Sequence, residues 1–118
     1  MDRVRTKRIY EPAESADGAR VLVDRLWPRG VSKEDASLDE WARELAPSDE
    51  LRTWFDHDPA KWDAFVRRYH EELAGERDLV ASSVLDREGT VTLLYAASVT
   101  EHNNAVALRA YVERLAEQ

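Results

Sequence analysis

Two apolar runs constrain this chain most: Val21-Leu22-Val23, and Val91 to Tyr95 with Leu93 and Leu94 at its centre. Both are short and continuous rather than alternating. Turn signals precede them, Asp17-Gly18 before the first and Gly89 before the second. Runs of this kind suit strands buried on both faces, the habit of parallel sheets. Parallel neighbours need crossover connections, and the residues between the runs carry helical spacing. The expected class is therefore α/β: a small, mainly parallel sheet of three or four strands flanked by helices, a Rossmann-like three-layer sandwich. At 118 residues it is read as a single domain, 1–118.

Helix signals fill in the rest. Ser32 caps a short turn over Lys33 to Ala36, and Ser48 caps a helix with Asp49 and Glu50 in its first turn. Asp58 and Pro59 open the clearest helix, whose stripe is Trp62, Phe65, Val66, Tyr69 and Leu73, with Gly75 as its stop. His70 follows that stripe and is expected at the surface. A further helix spans about 76–87. The last helix is expected to begin near Ser98 or Thr100, with Ser98 and Glu101 as a capping box. Residues 3–10 read as an edge strand amid charge, with Val4 and Ile9 on opposite faces. Residues 38–45 are ambiguous, with Leu38, Trp41 and Leu45 at helical spacing.

Charge and composition exclude several functions. The net charge is −7, so backbone-driven nucleic-acid binding is not expected. There is no Cys, which removes thiolate nucleophiles, disulfides and Cys-ligated metal centres. The four Gly are dispersed at 18, 30, 75 and 89, so no phosphate loop or dinucleotide fingerprint exists. Asp56-His57-Asp58 lacks the paired spacing of metal ligands. No metal and no cofactor is expected. No apolar stretch approaches a membrane span, and the N-terminus has no signal-like apolar core, which suggests a cytoplasmic protein.

In parallel sheets ligands bind beyond the carboxyl ends of the strands. Here those ends are Arg25 to Gly30 and Tyr95 to Asn104. Arg25 and Arg29 suit an anion clamp, since a guanidinium fork matches carboxylate or phosphate; the plainer role is pairing with an acid to fix the loop. His102, Asn103 and Asn104 are placed in the first turn of the last helix, where free N–H groups favour an anion. His102 is then the candidate acid or base. Helix capping is the simpler alternative for all three. Tyr95 and Ser48 are candidate ligand contacts, each with a structural alternative in packing or capping. Trp27 lies in the same loop and is a candidate ligand contact. The expected function is binding, or turnover, of a small anion; the alternative is a protein-interaction module docking an unidentified partner through Trp27.

Several strings then identify a family. Val21 to Gly30 (VLVDRLWPRG), Glu44 to Ser48 (ELAPS), Trp54-Phe55, His57 to Trp62 (HDPAKW), Leu93 to Ala97 (LLYAA) and Glu101 to Ala105 (EHNNA) resemble the YeaO-like branch of the domain of unknown function 488. The resemblance covers nearly the whole chain. It implies a small α/β cytosolic protein with no established activity, and a strand at residues 38–43. Wider relatives carry Cys residues and a Cys-His-Arg triplet at the last strand and helix. Here Tyr95 and Glu101 stand at the Cys positions, His102 is kept, and Asn103 replaces the Arg. That comparison removes thiol chemistry while leaving the location of a site.

Overall fold

The computed structural model describes residues 3–117. Four strands form one sheet: β1 (Val4–Arg8), β2 (Ala19–Leu22), β3 (Glu40–Trp41) and β4 (Val91–Tyr95). Their order is β1-β4-β2-β3, and every pairing is parallel. The two apolar runs lie side by side at its centre, Val21 opposite Leu93 and Leu22 opposite Leu94. That position buries both faces of each, as their continuous patterns require.

The alternation of side chains builds two cores. Val4, Val21, Val23, Val91, Leu93 and Tyr95 face the larger one. It is closed by α2 (Asp49–Phe55), α3 (Trp62–Ala74), α4 (Arg77–Val80) and α5 (Asn104–Ala116). Ile9, Leu22 and Leu94 face the smaller one, with Ala36 of α1 (Lys33–Ala36) and the half-buried Trp27 and Trp41. Val4 and Ile9 thus point to opposite faces, as the sequence suggests. The third layer is thin: one four-residue helix and the loop that carries Trp27.

A buried ionic cluster sits on the thin side. Arg20 donates to the Ala36 carbonyl and pairs with Asp17, which also receives Lys7 at 3.1 Å. Burial alone raises the Asp17 carboxyl. Hydrogen bonds from the Glu14 N–H, Lys7 and Arg20 outweigh burial and hold it below its ordinary value. Gly18 beside it has φ +64°, and a Cβ there would overlap the Thr90 carbonyl.

Four expectations are corrected. The last helix begins at Asn104, and Asn103 is its cap, accepting from the Val106 N–H at 3.0 Å. Residues 98–102 precede it without helical structure, so Ser98 and Glu101 form no helix-initiating box. The strand at 38–43 is only the pair Glu40–Trp41. The helix over 76–87 is α4 followed by a π-helical turn, Ala81–Leu85. His70 is buried, because α5 packs alongside α3: its Nε2 lies 2.8 Å from the Ala107 carbonyl and its ring meets Tyr111 edge-on.

Candidate functional site

The site grows from the end of β2. Beyond Leu22 the chain leaves the sheet at Asp24, and Pro28 and Gly30 turn it back over the smaller core. Asp24 is fixed from three directions. Its backbone carbonyl accepts from the Trp41 indole at 2.8 Å. One carboxylate oxygen accepts from the Ala96 N–H at 2.9 Å, the other from the Asn104 amide at 2.9 Å. Burial pushes this carboxyl above its ordinary value, and the hydrogen bonds from Asn104 and the Ala96 N–H oppose the shift.

Above Asp24 lies a cleft of about 730 Å³ at the carboxyl edge of the sheet. One wall is the loop Arg25 to Arg29; another is Ala46-Pro47 with the last residues of α2 and its exit, Arg52 to His57. Asn103 and Asn104 close it from the start of α5, with Phe55 and Phe65 behind. Three arginines line this one cleft, Arg25, Arg29 and Arg52, together with the carboxylate residues Asp24 and Asp56. Asp56 and His57 stand at its rim in consecutive left-handed conformations, φ 46° and 54°. Such conformations cost energy in residues other than glycine, so the surrounding chain must hold the turn.

The expected site residues separate into two groups. Arg25, Trp27, Arg29, Asn103 and Asn104 are brought together around the cleft. Arg25 is also part of the wall's construction: it donates to the Ala46 carbonyl at 3.2 Å and lies 3.9 Å from Asp49. Trp27 is half-buried, its indole N–H bound to the Val31 carbonyl at 2.7 Å and its ring edge-on to Trp41. The exposed apolar residue of this loop is Leu26, at 64%. Asn104 donates to the Val23 carbonyl at 2.8 Å as well as to Asp24.

Ser48, Tyr95 and His102 are not among the residues that line the cleft. Ser48 caps α2 through the Leu51 N–H, and its hydroxyl donates to Glu72 at 2.6 Å. Tyr95 is buried in the larger core; burial and Glu11 raise its phenol, opposed by Arg8 and a hydrogen bond with Asn103. His102 lies before the helix rather than in its first turn, with its ring 4.8 Å from that of Trp62. Behind the cleft Tyr69 donates to the Leu45 carbonyl, and burial, with Asp24 and Glu72 nearby, keeps its phenol protonated.

Asp24, Arg52 and His57 enter the cleft without having been singled out as ligand contacts from sequence. Asp24 had a positional signal, an acid directly after a buried parallel strand. Arg52 and His57 had none, since only the packing of α2 brings them there. Among the described residues no group of His and acidic side chains is placed to hold a metal ion, and no helix is long and apolar enough to cross a membrane.

A family model described as the inactive DUF488-N3 subclade matches residues 3–118. The uncharacterised protein YeaO of Escherichia coli K12 is 42% identical over 113 residues, covering 95% of this chain and 98% of that protein. Uncharacterised proteins of Mycobacterium bovis and Mycobacterium tuberculosis are 41% identical over 106 residues, covering 90% of each chain. No solved structure matches.

Proposed function

This chain belongs to the DUF488 family, in the subclade described as inactive, and from that premise we propose that it is a non-catalytic binding domain for a small anionic ligand. The observation that carries this reading is the convergence of Arg25, Arg29 and Arg52 on one cleft, in a chain whose net charge is −7. Three arginines against two carboxylates, Asp24 and Asp56, leave the lining with a positive balance in an acidic chain, which favours anions locally. Its place beyond the carboxyl ends of parallel strands is where such sheets bind ligands. The guanidinium fork of Arg29, on an exposed residue, takes the carboxylate or phosphate; Arg52, also exposed, joins it by turning from Asp49, whose carboxylate lies 3.6 Å from its Nη2. Arg25 contributes charge while holding the Ala46 turn in place.

The description of the subclade as inactive supports binding without turnover. His102, the acid or base expected from the sequence, packs on Trp62, and the histidine that lines the cleft is His57.

The test is a thermal-shift panel of phosphate, nucleotides, sugar phosphates and small carboxylates at fixed ionic strength. A ligand at 100 times its Kd stabilises by about 2.7 kcal/mol, which for a chain of this size moves Tm by roughly 8–16 °C. The shift is expected in the wild type and is reduced in Arg29→Ala and Arg52→Ala. No shift anywhere in the panel contradicts the reading. A second reading keeps the expectation that this loop docks a protein, with the exposed Leu26 rather than the half-buried Trp27 as the apolar contact. Under that reading the panel is silent and concentration-dependent association is lost in Leu26→Ser.

A further inference from the structure

We infer that the cleft selects an anion that also carries a hydroxyl or amino group, a hydroxy acid, amino acid or sugar phosphate, with Asp24 receiving that donor. The inference rests on the anion-binding reading above and specifies the class of ligand. Its basis is the geometry at Asp24. The residue lines the same cleft as the three arginines and is only half-buried. Its two oxygens each accept one hydrogen bond, from Ala96 and from Asn104. A carboxylate offers about four acceptor positions. Two therefore remain, on a group that its neighbours hold in one orientation.

A plain anion gains at Arg29 and Arg52 but meets repulsion and lost solvation at Asp24. An anion bearing an O–H or N–H donor relieves both, because the donor satisfies the free lone pairs. The Asn103 and Asn104 amides do not replace this acceptor. The bonds from their nitrogens, Asn103 to the Val99 carbonyl at 2.9 Å and Asn104 to Val23 and Asp24, are donations; the Asn103 oxygen already accepts from the Val106 N–H, and a neutral amide oxygen is a weaker acceptor than a carboxylate. Of the two carboxylates in the lining, Asp56 is exposed and solvated, whereas Asp24 is half-buried and fixed, so Asp24 is the acceptor that distinguishes the two kinds of anion. A hydrogen bond to a charged acceptor is worth about a 10- to 100-fold preference.

The experiment compares wild-type affinities, by calorimetry, for matched probes: succinate against malate and aspartate, and inorganic phosphate against glycerol phosphate. Malate, aspartate or glycerol phosphate should bind at least about 10-fold more tightly than its partner. Asp24→Asn, checked for folding by circular dichroism, should lose that preference and bind succinate and phosphate more tightly than the wild type does, because the repelling charge is gone. Equal affinities within each pair in the wild type overturn this inference and leave the anion-binding reading standing. Binding of none of the probes overturns both.

Discussion

The Asn104 amide donates to the Asp24 carboxylate at 2.9 Å, joining the first residue of α5 to the chain just beyond β2. The same amide group donates to the Val23 carbonyl at 2.8 Å. One side chain therefore fixes the last strand-to-helix junction to the loop that forms the opposite wall of the cleft. Fold and site meet at this contact.

Asn104→Ala removes both hydrogen bonds and leaves the Val23 carbonyl and one Asp24 oxygen without their donor. A loss of about 1–3 kcal/mol is expected. Asn104→Asp places a second carboxylate against Asp24 and should cost more at pH 7 than at pH 5, where sharing a proton relieves the repulsion. Urea denaturation at the two pH values checks both variants. Equal stability of Asn104→Ala and wild type would show that the junction is held by other contacts.

The ionic cluster under α1 sets an acid limit. The Asp17 carboxyl is held below its ordinary value in the folded chain. Its stabilisation is present above the unfolded value near 3.8 and is lost as pH falls through the lower folded value. Asp24 acts in the opposite sense: its folded value is raised, so its contribution is fully present below the unfolded value and is lost as pH rises through the folded one. Asp17→Asn leaves Arg20 and Lys7 without their shared partner and should cost about 3 kcal/mol or more at pH 7. It should also flatten the stability loss below pH about 4. Denaturation curves from pH 3 to 7 separate these effects.

Burial of His70 gives a second slope at milder pH. Burial, then the nearby Arg114, hold its imidazole below its ordinary value, and the Ala107 carbonyl opposes them. The unfolded chain takes up the proton first, so stability falls as pH drops through about 6.5 and until the folded value is reached. His70→Gln should be less stable at pH 8 and should lack this contribution to the slope between pH 7 and 5. An unchanged slope in the variant would assign the effect elsewhere.

Gly18→Ala tests the turn that delivers the chain into β2. The backbone is left-handed there, and the added methyl meets the Thr90 carbonyl, which accepts the Ala19 N–H at 2.9 Å. The entry to β2 must shift or that bond must break. A loss of about 2 kcal/mol or more is expected from strain and overlap together. Thermal unfolding within a few degrees of wild type would contradict it.

The sequence carried the central strands and most helix starts because local chemistry decides them. Val21 to Val23 and Val91 to Tyr95 are continuous runs that only a doubly covered sheet accommodates. Ser32 and Ser48 each accept the N–H bond expected of a helix cap, whereas Asp58 caps a 3-10 turn, Pro59–Lys61, and α3 starts after it at Trp62. The start of α5 was not legible because Ser98, Thr100 and Asn103 are all competent caps. Asn103 is the one whose amide is anchored by the Val99 carbonyl. His70 flanks its helix's apolar stripe, and only the docking of α5 buries it. The cleft was half-readable for the same reason: its strand-end residues announce themselves by position, whereas Arg52 and His57 arrive from α2 through packing.

Amide chemical-shift mapping during titration with malate and with phosphate locates ligand binding on the sheet. Binding at the carboxyl edge gives saturable shifts concentrated at residues 24–30, 46–57 and 96–104, weakened in Arg29→Ala and Arg52→Ala. Shifts that gather instead between α3 and α5 around His70, or that scatter without saturating, would contradict it.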